Sequence, residues 1–159
     1  MKLVICEKPS VGAAVAAALG VREKKDGYIE GNGYVISWCI GPLVGLAEAA
    51  AYGEQYRKWS YDSLPILPQE WQYTVAADKG KQFKILKDLM QRSDVSEVVN
   101  ACDAGREGEL IFRFVYHQAG CKKPFTRLWI SSMETDAIKS GFDNLKDGRR
   151  YDALSVSYT

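Results

Sequence analysis

Val98-Val99-Asn100-Ala101-Cys102-Asp103-Ala104-Gly105-Arg106-Glu107-Gly108-Glu109 decides the fold, because it passes from a largely apolar run straight into a loop rich in carboxylates. A short apolar run without alternation is the pattern of a strand buried on both faces. Leu110, Ile111, Phe114 and Val115 then recur at helical spacing, so the loop joins a strand over Val95 to Cys102 to a helix over Arg106 to Gln118, which Gly120 ends. The chain opens in the same way. Residues 2 to 6 read as a strand, Glu7-Lys8-Pro9-Ser10 follows, and Val11 to Leu19 is an alanine-rich helix stopped by Gly20.

Outward from these two units the alternation continues. Tyr28-Ile29-Glu30, Gly31-Asn32-Gly33 and Tyr34 to Trp38 read as a β-hairpin around an Asn-Gly turn, a small antiparallel insertion. Gly41-Pro42 breaks the pattern, Leu46 to Tyr52 reads as a short helix, and residues 53 to 71 form a long loop rich in Tyr, Trp and Pro. Tyr73-Thr74-Val75 is a strand. From Asp78, Phe83, Leu86, Leu89 and Met90 mark an amphipathic helix with lysines opposite. Arg127 to Ile130 is a further strand, and Glu134 to Leu145 a last helix. Strands alternating with helices predict an α/β fold, a mostly parallel central sheet flanked by helices. Residues 1 to 146 are expected to form the domain. Residues 147 to 159 lose apolar periodicity and read as the start of a connection to the rest of a longer enzyme.

The chain has 159 residues, of which 47% are hydrophobic and 26% charged, a globular composition. Its formal net charge of +1 gives no global attraction to nucleic acid, so such binding must come from local patches. Cys6, Cys39, Cys102 and Cys121 are far apart without a CxxC pair, which argues against zinc and for a reducing compartment. With no signal peptide pattern and no run of membrane-spanning length, a cytoplasmic protein is expected.

In open parallel sheets the functional crevice lies outside the carboxyl ends of the strands. Glu7 and Asp103 are expected to meet there with Glu107 and to hold a divalent cation of the magnesium type, which prefers oxygen ligands. Singly, Asp103 reads as a helix cap and Glu107 as a helix-dipole partner. Gly105 and Gly108, which let backbone and ligand approach closely, and a glutamate at another strand end favour a site. Glu109 is expected to point away from Asp103 or toward a supporting partner. Arg106 suits a carboxylate or a phosphate equally, and Ser10 reads chiefly as a cap for the first helix. His117 lies beyond the acidic cluster. Trp38, Trp59, Tyr61 and Trp71 are expected to pack under the long loop rather than to stack on bases, and the lysines from Lys79 to Lys87 to form a solvated helix face.

Glu7-Lys8-Pro9-Ser10, Leu64-Pro65-Ile66-Leu67-Pro68 with Trp71 behind it, and Cys102 to Glu109 together resemble the toprim domain of type IA DNA topoisomerases, in particular the bacterial topoisomerase III branch. The resemblance spans nearly the whole chain. It implies a Rossmann-like sheet, DNA as partner, Mg2+ as cofactor, Glu7 as general acid and base, and Lys8 beside the scissile phosphate. It also implies an Asp-x-Asp-x-Glu cluster for magnesium, of which Asp103 and Glu107 are present while Gly105 stands at the second aspartate. Glu109 or water is then expected to fill the gap. The nucleophilic tyrosine of such enzymes belongs to another domain, and none of the nine tyrosines here has its context. The fragment alone is expected to be inactive in strand passage. Other readings are a toprim primase or nuclease, a phosphoacceptor signalling domain, which would want an acidic pair where Glu7-Lys8 stands, and a non-catalytic binding module.

Overall fold

The computed structural model describes residues 1–156, so the sequence reading of Ser157, Tyr158 and Thr159 lies outside the described residues. Strands β1 (Lys2–Cys6), β2 (Glu23–Lys25), β3 (Tyr28–Gly31), β4 (Tyr34–Trp38), β7 (Glu97–Ala101), β8 (Phe125–Arg127) and β9 (Lys146–Asp147) form one sheet in the order β2-β3-β4-β1-β7-β8-β9. Strands β5 (Val44–Leu46) and β6 (Tyr73–Val75) pair as a separate ribbon. The helices are α1 (Pro9–Leu19), α2 (Gly80–Gln91), α3 (Arg106–Gln118), α4 (Thr135–Asp143) and α5 (Asp152–Val156).

At the centre β4, β1, β7 and β8 run parallel, with Cys6 level with Trp38 on one side and Ala101 on the other. Leu3 and Ile5 face one way and Val4 and Cys6 the other, and all four are fully buried. That double burial is why β1 is apolar from Leu3 to Cys6 rather than alternating. On one face Leu3, Ile5, Val35 and Val98 pack with Leu86 of α2 and Phe112 and Val115 of α3. On the other, Val4, Ile36 and Val99 pack with Val15 of α1 and Ile138 of α4. Gly12 lets α1 close on the sheet, since a Cβ there would lie 2.7 Å from the Trp38 ring.

The β3–β4 hairpin forms as expected and continues the main sheet, with β2 added antiparallel at its edge. The helix expected over Leu46 to Tyr52 is instead the end of β5 followed by a 3-10 turn, Ala49–Tyr52. The last expected strand lies two residues earlier, at Phe125–Arg127, because Arg127 is the residue set opposite Asn100 of β7. Trp129 then leaves the sheet and stacks on Tyr151 at 4.9 Å. The aromatics of the long loop are not packed beneath it: Trp59 is 88% and Tyr61 96% exposed. No helix of the described residues is long and apolar enough to cross a membrane.

Candidate active site at the carboxyl edge of the sheet

Because β1 and β7 are neighbours in register, Glu7 after β1 arrives level with Cys102 after β7, next to Asp103. Glu7 follows β1 and is 8% exposed, and the Asp103 amide donates to its carboxylate at 3.3 Å. Burial pushes the Glu7 carboxyl above its ordinary range and the Asp103 carboxylate pushes it further, while the Asp103 amide and Lys8 oppose and Glu107 adds. The structure thus brings Glu7 and Asp103 into contact and Glu107 within electrostatic reach.

The Lys8 ammonium lies 4.0 Å from Glu7 on an exposed side chain. Ser10 and Arg106 are exposed in the first turns of α1 and α3. Neither Ser10 nor Asp103 caps its helix: the residue before α1 is Lys8, the residue before α3 is Gly105, and neither makes a side-chain cap hydrogen bond. His117 sits at the exposed far end of α3. Lys81 and Lys84 pair with Asp26 and Asp88 on the solvated face of α2.

Gly108 lets the acidic loop lie on its own helix. A Cβ there would fall 2.2 Å from the Asp103 carbonyl oxygen. Gly105 differs: its extended backbone leaves nothing within 4 Å of an added Cβ.

Glu109 is fully buried and turned away from solvent. It accepts hydrogen bonds from Arg113 at 2.8 Å and from Asn100 at 3.0 Å, and the Arg127 Nε lies 2.9 Å from it. Arg127 is the one residue of this group that the sequence pattern marks only as the start of a strand. Its signal was an arginine inside an apolar segment, which a buried sheet tolerates only beside an acid.

Among the described residues, no three His, Cys, Asp or Glu side chains are arranged to hold a metal ion. The donor set is nonetheless that of magnesium, which is commonly bound through one or two carboxylates and completes its shell with water and substrate phosphates. Glu7 and Asp103 offer carboxylate oxygens of the kind such an ion takes. All four cysteines are free; Cys6, Cys39 and Cys102 are buried and Cys121 half-buried. Beside Ala104 a cleft of about 610 Å³ opens, lined by Trp129, Ser131, Ser132, Ser140 and Lys146; it adjoins the acidic loop without including Glu7.

A parallel sheet that sets an acid after one strand against an acidic loop after its neighbour defines an α/β domain with a carboxylate site at the sheet's carboxyl edge. The chain matches the Toprim domain over residues 2–133 and belongs to that family. It is 50% identical over 153 residues to DNA topoisomerase 3 of Shouchella clausii and 43% identical over 152 residues to that of Bacillus subtilis, in each case 96% of this chain. These matches bear out the resemblance read from the motifs. The chain spans 21% of the length of those relatives. A solved structure of full-length topoisomerase I from Thermotoga maritima has the same fold, with a TM-score of 0.59 over 91% of this chain and 21% of that one at 18% identity.

Proposed function

We propose that this domain is the acid–base and metal-holding part of a topoisomerase III-like enzyme of the type IA class, which cuts and rejoins one strand of DNA. The observation that carries the reading is the contact of the buried Glu7 carboxylate with the Asp103 amide in a chain half identical to a DNA topoisomerase 3. A glutamate whose proton is held more tightly than usual is suited to act as general acid toward a leaving oxygen and as general base on the way back.

In this reading the nucleophilic tyrosine lies in another part of the enzyme, attacks the phosphorus and becomes linked to the 5′-phosphate. Glu7 gives its proton to the departing 3′-oxygen and recovers it when the strand is rejoined. Lys8, exposed beside Glu7, sets its ammonium toward the phosphate oxygens, where charge develops. Asp103 and Glu107 would hold Mg2+, joined by Glu7 in the stage when it has given up its proton, with Arg106 on the solvent side of the loop toward the phosphate. The ion when bound supplies positive charge at the phosphate. Single-stranded DNA and the remaining domains of the longer enzyme are the partners.

The test is made in the full-length enzyme. Glu7→Gln is expected to lower single-strand cleavage by about 10²- to 10⁴-fold, and Asp103→Asn to raise the Mg2+ concentration needed for half-maximal cleavage. Wild-type turnover in both variants would defeat the assignment.

A further inference from the structure

Asp103 is held by its backbone on both sides. Its N–H is taken by Glu7, and its carbonyl accepts from the Arg127 guanidinium at 2.7 Å. Arg127 is completely buried and also donates to the carbonyls of Cys102 and Leu128 and, at 3.3 Å, of Asn100. A fork with fixed donors, gathering carbonyls before, within and across from the loop, fixes the loop's path more firmly than any single bond. Asn100 adds to this, since its side-chain oxygen accepts from the Cys102 N–H at 3.1 Å.

The hold does not stop at Arg127. The Nε contact to Glu109, 2.9 Å long, is ionic, without the alignment of a hydrogen bond. The same carboxylate takes Arg113, which reaches the Asp152 carboxylate at 2.7 Å and the Gly148 carbonyl at 3.0 Å. An unbroken path of charged groups therefore runs from the loop backbone to the segment after β9. Each link is short, and the links at Arg127 and Glu109 are sealed from water, where charge pairs are least screened.

We propose that Arg127 is a positioning residue for the acidic loop, and that Glu109 and Arg113 extend its hold to the segment Gly148–Asp152, so that loosening that segment weakens the loop's grip on a divalent cation. This rests on the reading that the loop holds the cation. Arg127 does not itself reach the ion. It acts by presenting Asp103 at a fixed place, as supporting residues do around metal sites.

The experiment uses the full-length enzyme with Arg127→Lys, Asp152→Asn and the double variant. It reads amide hydrogen exchange at residues 102 to 105 and binding of Mn2+ alone by electron paramagnetic resonance. Arg127→Lys is expected to speed exchange in the loop by about tenfold or more while the protein melts cooperatively, and to weaken Mn2+ binding by about 10- to 100-fold. Asp152→Asn is expected to shift both in the same direction by about 3-fold, and to add nothing once Arg127 is lysine. Unchanged loop exchange in Arg127→Lys overturns the positioning role, and additive effects in the double variant overturn the connection. If Arg127→Lys does not fold, unchanged exchange in Asp152→Asn alone is sufficient to reject the proposal. Faster exchange in the variants of an enzyme that binds no Mn2+ when wild type leaves the positioning role standing and removes the metal reading instead.

Discussion

Replacing Gly108 by alanine tests whether the acidic loop and its helix are in the closest contact their backbones allow. The new Cβ would lie 2.2 Å from the Asp103 carbonyl oxygen, 2.8 Å from its nitrogen and 3.0 Å from its carbonyl carbon. Ordinary contacts of this kind fall near 3.5 Å, so loop and helix must part by about 1 Å. The loop has little freedom to yield, because Arg127 holds the carbonyl and Glu7 the amide. Overpacking of this sort costs about 1–3 kcal/mol. Alanine's better helix propensity returns about 1 kcal/mol of it. The net loss of stability is then modest, while a displacement of about 1 Å at a reacting centre lowers turnover by about 10²-fold. Gly105→Ala is the control, three residues away in the same motif, with an extended backbone and nothing within 4 Å of the added carbon. It should leave stability within about 0.5 kcal/mol. The assay is cleavage of a labelled single-stranded oligonucleotide by the full-length enzyme in Mg2+, with urea unfolding alongside. Comparable activity in Gly108→Ala and Gly105→Ala would refute the reasoning.

Glu109→Ala strips the shared partner from two arginines, one fully buried, and should cost about 3–5 kcal/mol, lowering the calorimetric melting temperature by about 6–20 °C. Asp88→Ala, which breaks an exposed pair with Lys84, should cost no more than about 0.5 kcal/mol; equal losses from the two would show that burial of the Glu109 pair is immaterial. Gly105→Asp supplies the missing aspartate in open space and should tighten Mg2+ binding by about tenfold in titration calorimetry, and weaker binding would mean that residue 105 does not face the ion. For Glu7 the sign follows from its raised carboxyl. A carboxyl raised in the folded state contributes most below the ordinary glutamate range, and its contribution is lost as pH rises through the raised value. Glu7→Gln should therefore match the wild type in metal-free urea melts near pH 4 and be the more stable of the two at neutral pH. A Gln variant less stable at neutral pH would contradict the buried charge.

Much of this arrangement is legible along the chain because both strands that carry the site are marked by composition alone. Leu3 to Cys6 and, but for Asn100, Val98 to Cys102 are apolar without alternation, which only a doubly covered strand requires, and each is followed by an acid. The register that sets Cys6 level with Ala101, and so brings Glu7 beside the Cys102–Asp103 step, depends on β7 being the neighbour of β1, and nothing local specifies a neighbour. The same limit hid Arg127. Glu109 and Arg113 stand four apart and advertise a helical pair, but the third partner comes from another strand, and Asp152 from beyond β9. Trp59 and Tyr61 were misread for a different reason. Large aromatics are usually covered, yet the 3-10 turns of their loop have no buried residue of their own and so nothing to carry those rings inward.

The network beneath the site bears on the charge above it. Arg127 brings a positive charge against the backbone of the acidic loop and Arg113 stands one link behind it, and Glu109 and Asp152 match the two one for one. The pair at the core of this network is sealed from solvent, so little of its field is left over for Asp103. What positive charge Glu7, Asp103 and Glu107 require must come from the solvent side, where Lys8 and Arg106 stand exposed and where, under the function proposed above, the cation and its waters enter. A loop whose backbone is fixed from below while its carboxylates face outward keeps its path whether or not an ion is present. Under the function proposed above, these exposed carboxylates would complete a shell shared with water and phosphate, which is the manner of binding that magnesium favours.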